Sequence, residues 1–200
     1  MAPVYRRALS SAITLRGTNV PLKTLLLRWQ WTTLLAIAVF AILYSFDTGL
    51  KAATGAGTVD LQSAHSAIEY KQIFAAWILR QHSATAGFSL GFDYLFMPLY
   101  GFAFYYSGII AREAFTPTKG LVRRFLNYLS LVPLPGATAD AIENALEFSM
   151  MISGATDSSA QLAFTASNVK TVCFYVGLVL LVAAIGGFFK LRAPKKEEEA

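Results

Sequence analysis

Thr138-Ala139-Asp140-Ala141-Ile142-Glu143-Asn144-Ala145-Leu146-Glu147-Phe148 is the stretch whose reading decides the fold. It lies within an apolar run, 121–153, of a chain that is 55% hydrophobic and 14% charged. The mean hydropathy of +0.48 is outside the range of soluble domains. A helix advances about 100° per residue, so Asp140, Glu143, Asn144 and Glu147 fall within an arc of about 100° and form one acidic stripe. An ionised side chain at the centre of a membrane span costs about 2.5–3.5 kcal/mol on insertion scales. Such residues turn to a bundle interior or a wet cavity, and by default they mark a functional site.

Runs near twenty apolar residues occur four times, at about 29–46, 88–111, 125–152 and 169–189. The third carries its own acids together with Pro133 and Pro135. The basic residues sort by side. Arg6, Arg7, Arg16, Lys23 and Arg28 precede the first run, Arg112, Lys119, Arg123 and Arg124 separate the second and third, and Lys190, Arg192, Lys195 and Lys196 follow the fourth. The other side receives only Lys51, Lys71, Arg80 and Lys170. By the positive-inside rule both termini are cytoplasmic, and without the third span the sorting fails. The fold expected is therefore all-α, an integral membrane four-helix bundle spanning 29–189. The basic segment 1–28 reads as a cytoplasmic flank, in preference to an organelle transit peptide, and 190–200 as a charged cytoplasmic tail. A bacterial inner membrane is favoured over an organelle membrane. The lipid bilayer is then the first partner, a membrane protein or a second copy of the chain a further one, and the charge distribution does not point to nucleic acid.

Trp29 and Trp31 open the first span and Tyr44 and Phe46 close it, as an interfacial aromatic belt would. The segment 54–58, Thr-Gly-Ala-Gly-Thr, reads as a flexible loop. Asp60 reads as the N-cap of an outer amphipathic helix over about 60–79, which lies in the interface as a lid or partner surface. His65 and His82 match no metal-binding spacing, and the single cysteine, Cys173, reads as a small packing residue. Gly87, Gly91, Gly101 and Gly108 make the second span thin enough for close helix approach.

On that second span Asp93, Met97, Tyr100, Phe104 and Ser107 share a face. Setting this stripe against the acidic stripe of the third span hides both from lipid. Counting from the outer ends, Asp93 lies about 9 Å deep, Glu147 about 8 Å and Glu143 about 14 Å, so Asp93, Asn144 and Glu147 match in depth and Asp140 is deeper. The candidate binding residues are therefore Asp93, Tyr94, Tyr100, Asp140, Glu143, Asn144 and Glu147, with both tyrosines as hydrogen-bond donors to the carboxylates. Like charges this close cannot all stay ionised without a proton or a cation between them. A divalent cation held by Asp93, Glu143 and Glu147 is one use, proton relay a second, and general acid–base work a third. Arg80 and Lys170 are the only nearby cationic side chains. Two plainer alternatives stay open: Asp140-x-x-Glu143 has the spacing of a helix-capping box, and the stripe could serve only to glue helices together.

The pattern Phe92-Asp93-Tyr94-Leu95-Phe96 with Tyr100, then Ala139-Asp140-x-x-Glu143-Asn144, resembles a group of small uncharacterised bacterial polytopic membrane proteins, in which an outer segment containing Trp (here Trp77) comes first. The resemblance covers about 68–150 and implies the membrane fold and the site, without an activity. Two functions follow from the residues. One is a binding, transport or accessory membrane protein with an outward-facing acidic pocket for protons or a cation. The other is a membrane enzyme on a lipid or other hydrophobic substrate, with carboxylates as acid, base or metal ligands.

Overall fold

The computed structural model describes residues 12–15, 18–116 and 120–192. Part of the charge sorting, at Arg6, Arg7, Arg16, Lys119, Lys195 and Lys196, lies outside them. A short antiparallel hairpin, β1 (Ala12–Leu15) and β2 (Thr18–Pro21), leads into an otherwise helical chain. Seven helices follow among the described residues: α1 (Leu22–Thr54), α2 (Thr58–Ser63), α3 (Ala67–Leu79), α4 (Ser83–Phe115), α5 (Leu121–Leu129), α6 (Pro133–Ser153) and α7 (Asp157–Arg192). By length and composition α1, α4 and α7 are able to cross a membrane.

Each of these three overruns its predicted span. Hydropathy marks only the apolar stretch of a helix, whereas the backbone ladder continues until a breaker stops it. Gly55 is that breaker for α1, taking the left-handed conformation at φ +88° while its N–H donates to the Lys51 carbonyl. The segment after it is a tied turn, not the flexible loop expected: Thr54 Oγ1 and Trp77 Nε1 both donate to the Ala56 carbonyl, at 2.8 and 2.7 Å.

The single outer helix predicted over 60–79 is two helices. Asp60 is not an N-cap. It sits one turn inside α2 and its Oδ2 accepts from the Gly57 N–H at 2.7 Å. Ser66 starts α3 afresh, its Oγ accepting from the Glu69 N–H. The new start is pinned to α7, because the Ala67 N–H donates to Asp157 Oδ1 at 3.1 Å. Tyr70, Phe74 and Trp77 bury one face of α3 against Leu50, Leu61, Leu90 and Met150, while Ile68 and Ile78 stay exposed.

The predicted third span is also broken, at 130–132. Pro133 begins α6, since a residue without an N–H is accommodated at a helix's first position. The preceding α5 is a short amphipathic helix with Leu121, Val122, Phe125 and Tyr128 exposed. It is moored by an ionic knot in which Arg112 and Arg123 both donate to Glu113 Oε1, at 2.7 and 2.6 Å, and Arg112 also donates to Asn127. Asp140 consequently lies two turns inside α6, which rules out the capping-box alternative.

The central helix is α4. It packs against α1 on one side and against α6 and α7 on the other, and α6 and α7 pack closely on each other. Small residues allow this. A Cβ on Gly101 would come within 3.1 Å of Ala137, and one on Gly108, Gly136 or Gly177 would overlap Ser130, Cys173 or the Phe104 ring respectively. Gly91, by contrast, touches nothing within 4 Å, so its expected packing role is absent. Trp29 likewise leaves the expected belt: it is buried, packs tilted at 42° against Phe188 with ring centroids 5.6 Å apart and donates through Nε1 to Ser107 Oγ at 2.9 Å, while Trp31 remains outside.

These contacts separate two kinds of glycine. Gly177→Ala forces the Phe104 ring to move and is expected to cost about 1–3 kcal/mol of stability, as overpacking does. Gly91→Ala meets open space and is expected to be neutral or stabilising by up to about 1 kcal/mol, because alanine is the better helix former. Thermal melting of the two purified variants in detergent decides; equal melting temperatures would contradict the close α4–α7 approach.

Candidate functional site

Three helices build the site, and one of its central residues comes from a face that the acidic stripe did not include. Down α7, Ala160, Ala163, Ser167, Lys170, Gly177, Leu180, Ala184 and Gly187 are buried in helical register. All but two of these side chains are small, so α7 lies close to α4 and α6, and Lys170 projects from the middle of that stripe. The helix begins at Asp157, so Lys170 lies about 20 Å along it and not at its outer end as the predicted span implied. Its start is set by a reciprocal cap: Ser159 N–H donates to Thr156 Oγ1 and Thr156 N–H donates to Ser159 Oγ.

Lys170, only 8% exposed, inserts its ammonium between two acids of α6. Nζ is 2.5 Å from Glu143 Oε2 and 3.3 Å from Asp140 Oδ1. The phenol of Tyr100, on α4, donates to the other Asp140 oxygen at 3.1 Å. Asn144 reaches α4 in the other direction, donating to Asp93 Oδ2 at 2.8 Å and to the Leu90 carbonyl at 3.3 Å. Glu147, one turn beyond Glu143 on the same face, is 0% exposed, and neither of its oxygens has a hydrogen-bond partner among the described residues. The cluster extends outward to α3: burial, and then the Glu147 and Glu143 carboxylates, hold the Tyr70 phenol above its ordinary pKa.

The predicted residues are thus brought together with three differences. Of the two residues expected at the depth of Asp93, Asn144 hydrogen-bonds to it and Glu147 does not. Tyr94 is not a donor to the acids; it stands at the exposed edge of α4 and donates to the Ala141 carbonyl at 3.0 Å. The predicted metal set does not assemble. Asp93 is engaged by Asn144 and Glu143 by Lys170, and among the described residues no three His, Cys, Asp or Glu side chains are arranged to hold a metal ion. Calcium takes six to eight oxygen ligands and magnesium six, several of them water, and of the predicted set Glu143 already faces the Lys170 ammonium. Of the two cationic candidates Arg80 is exposed at the end of α3, leaving Lys170 as the partner. Its signal in the sequence was its position in the small-residue register of α7, which a count of basic residues by side overlooks.

Beside this network lies a cavity of 470 Å³. Asp93, Asp140, Asn144 and Lys170 line it at the network, Phe40, Tyr44 and Asp47 on α1, and Thr58, Val59 and Gln62 on α2. The α2 residues that cover it are tied down on both sides. Asp47 Oδ1 accepts from Thr58 Oγ1 at 3.0 Å and from the Val59 N–H at 2.9 Å, while Ser167 Oγ donates to the Gln62 carbonyl at 3.3 Å.

Comparison of the chain with protein families, characterised proteins and solved structures finds no match. Whatever the site does has to be read from its own geometry.

That geometry predicts an asymmetry between two substitutions. Lys170→Met leaves Asp140 and Glu143 buried without their cation and is expected to cost about 3–5 kcal/mol. Adding Glu143→Gln to it removes one of the stranded charges and is expected to recover part of the loss. A double-mutant cycle read by thermal melting measures the coupling. Additive effects would show that the pair does not interact.

Proposed function

We propose that the chain is a four-span membrane protein whose buried Asp–Glu–Lys network takes up and releases protons, in a binding or transport role at an outward-facing cavity. The observation that carries this is Glu147: a fully buried carboxyl without a hydrogen bond among the described residues, one turn from an ion pair that uses the one ammonium they bring to the cluster. Four carboxylates, Asp93, Asp140, Glu143 and Glu147, surround that single ammonium. Coupled acids in such surroundings share protons as a group, and a change in the charge of one redistributes the protons on the rest. Intramembrane chains of this kind are the physical basis of proton relays.

Two features support α6 as the fourth span. Its 21 residues rise about 31 Å, enough to cross the hydrocarbon. All of its charged side chains are buried against α4 and α7, and its outward face is Ile142, Ala145, Phe148 and Ile152. On this reading Lys23, Arg28, Arg112, Arg123, Arg124, Lys190 and Arg192 collect at one end of the molecule. The positive-inside rule makes that end cytoplasmic, places both termini there, and favours a bacterial inner membrane. The amphipathic α5, with basic Arg123 and Arg124, then lies on the cytoplasmic interface, and α2 and α3 cover the outer one.

Infrared difference spectroscopy across a pH titration tests the proton network directly. Wild-type protein is expected to show a titrating band from buried carboxylic acid C=O groups, and Glu147→Gln is expected to lose a component of it. Wild-type protein with no titrating carboxyl band would refute the reading.

The topology has a separate test. With Cys173 replaced by Ser, single cysteines at Ser83 and Asp157 are expected to react with a membrane-impermeant thiol reagent applied from outside, and one at Lys119 is not. Outside labelling of position 119 would overturn the four-span arrangement.

A further inference from the structure

The cavity has a direction. At the inner end of the molecule α1 and α7 are joined, Trp29 on Phe188, with Leu25, Leu26, Ile109, Ile110 and Ala184 in one cluster. At the outer end no such joint forms. There α1 contributes Phe40, Leu43 and Tyr44 to one wall of the cavity, α7 contributes Phe174, Tyr175 and Leu178 to the facing wall, and the space between them is the cavity itself. The route along the membrane normal is covered by Thr58, Val59 and Gln62, whose ties to Asp47 and Ser167 are described above. The rim is aromatic and faces sideways: Phe40, Tyr44 and Tyr175 are 51%, 61% and 64% exposed, and Ile37, Val172 and Val179 on the same helices are exposed as well. Access is therefore lateral, from the hydrocarbon.

The charge at the far end is equally specific. Lys170 is held by Glu143 and Asp140, so its ammonium is committed. Among the described residues Asp93 is held on one oxygen only, by Asn144, with no hydrogen bond to its Oδ1. Asp140, 4% exposed, lines the same wall, with Lys170 at 3.3 Å from its Oδ1 and Tyr100 on its Oδ2. An occupant thus meets aromatic rings at the rim and, within, an Asp93 oxygen that holds no hydrogen bond among the described residues. Aromatic faces attract cations, most strongly where water is excluded. An anionic head would face Asp93 and Asp140. A volume of 470 Å³ falls in the range of small-molecule sites and is too small for a whole two-chain phospholipid.

We propose that this cavity binds a lipophilic organic cation, an amine or onium group on an apolar body, which enters from the bilayer between α1 and α7 and sets its charge against Asp93. The inference rests on the proton-exchanging reading for its pH dependence alone, because protons and the cation then compete for one acidic network; the binding itself rests on the cavity.

The test uses the full chain in lipid nanodiscs with tetraphenylphosphonium as the probe and tetraphenylborate, its anionic shape match, as the control. Wild-type protein is expected to bind the cation and not the anion, and to bind it about tenfold more weakly at about pH 5 than at about pH 8. Asp93→Asn is expected to lose about tenfold or more in affinity, as for one desolvated charge contact. Leu178→Trp, which fills the mouth without touching the acids, gives the same expected loss and serves if the Asp93 variant does not fold. Absence of binding, equal binding of the anion, or full affinity in a folded Asp93→Asn or Leu178→Trp protein would each overturn the proposal. Binding that is lost in the variants but indifferent to pH leaves the cation site standing and removes the proton network.

Discussion

The ammonium of Lys170 between Asp140 and Glu143 is the interaction on which the rest of the arrangement depends. An acidic helix face does not tolerate hydrocarbon, and burying it against apolar neighbours alone would strand its charges. One lysine resolves this only if α7 lies close enough to α6 for a side chain in mid-helix to reach both acids. That closeness is a property of the small residues: Gly136 seats Cys173, Gly177 seats the Phe104 ring, and Ala160 and Ala163 keep the outer part of α7 slim. The polar network and the small-residue stripe are two halves of one packing solution.

The solution is deliberately incomplete in charge. Tyr100 satisfies one oxygen of Asp140 and Asn144 one oxygen of Asp93, yet Glu147 receives nothing. A cluster made only to hold helices together would gain by replacing Glu147 with an apolar residue of similar volume, because a buried unpaired acid costs more than it returns. Glu147 is nevertheless fully buried, which is the observation on which the proton-exchanging proposal rests.

The two ends of the bundle are closed differently. One is closed by Trp29, Phe188 and the Arg112–Glu113–Arg123 knot. The other is closed by the apolar cluster of Leu50, Leu61, Phe74, Trp77 and Met150, with hydrogen bonds from Asp47 to α2 and from Asp157 to α3. Cavity and network both lie on that side.

The amino-acid sequence by itself determined the helical class, the apolar helices able to cross a membrane, the acidic stripe of α6 and the stripe of α4 that meets it, because each follows from composition and periodicity. Asp140, Glu143, Asn144 and Glu147 are buried together for that reason, and Tyr100 reaches them as its face predicts. Helix ends were less legible. The break at 130–132 and the division of the outer helix at Ser66 depend on capping and on contacts with distant residues such as Asp157. Only the tertiary structure decided the partners. Helical periodicity describes one helix at a time and is silent on which helix lies opposite, so it could not show that Lys170 belongs to the acids, that Asn144 and not Glu147 meets Asp93, or that α1 and α7 part to leave a cavity between them.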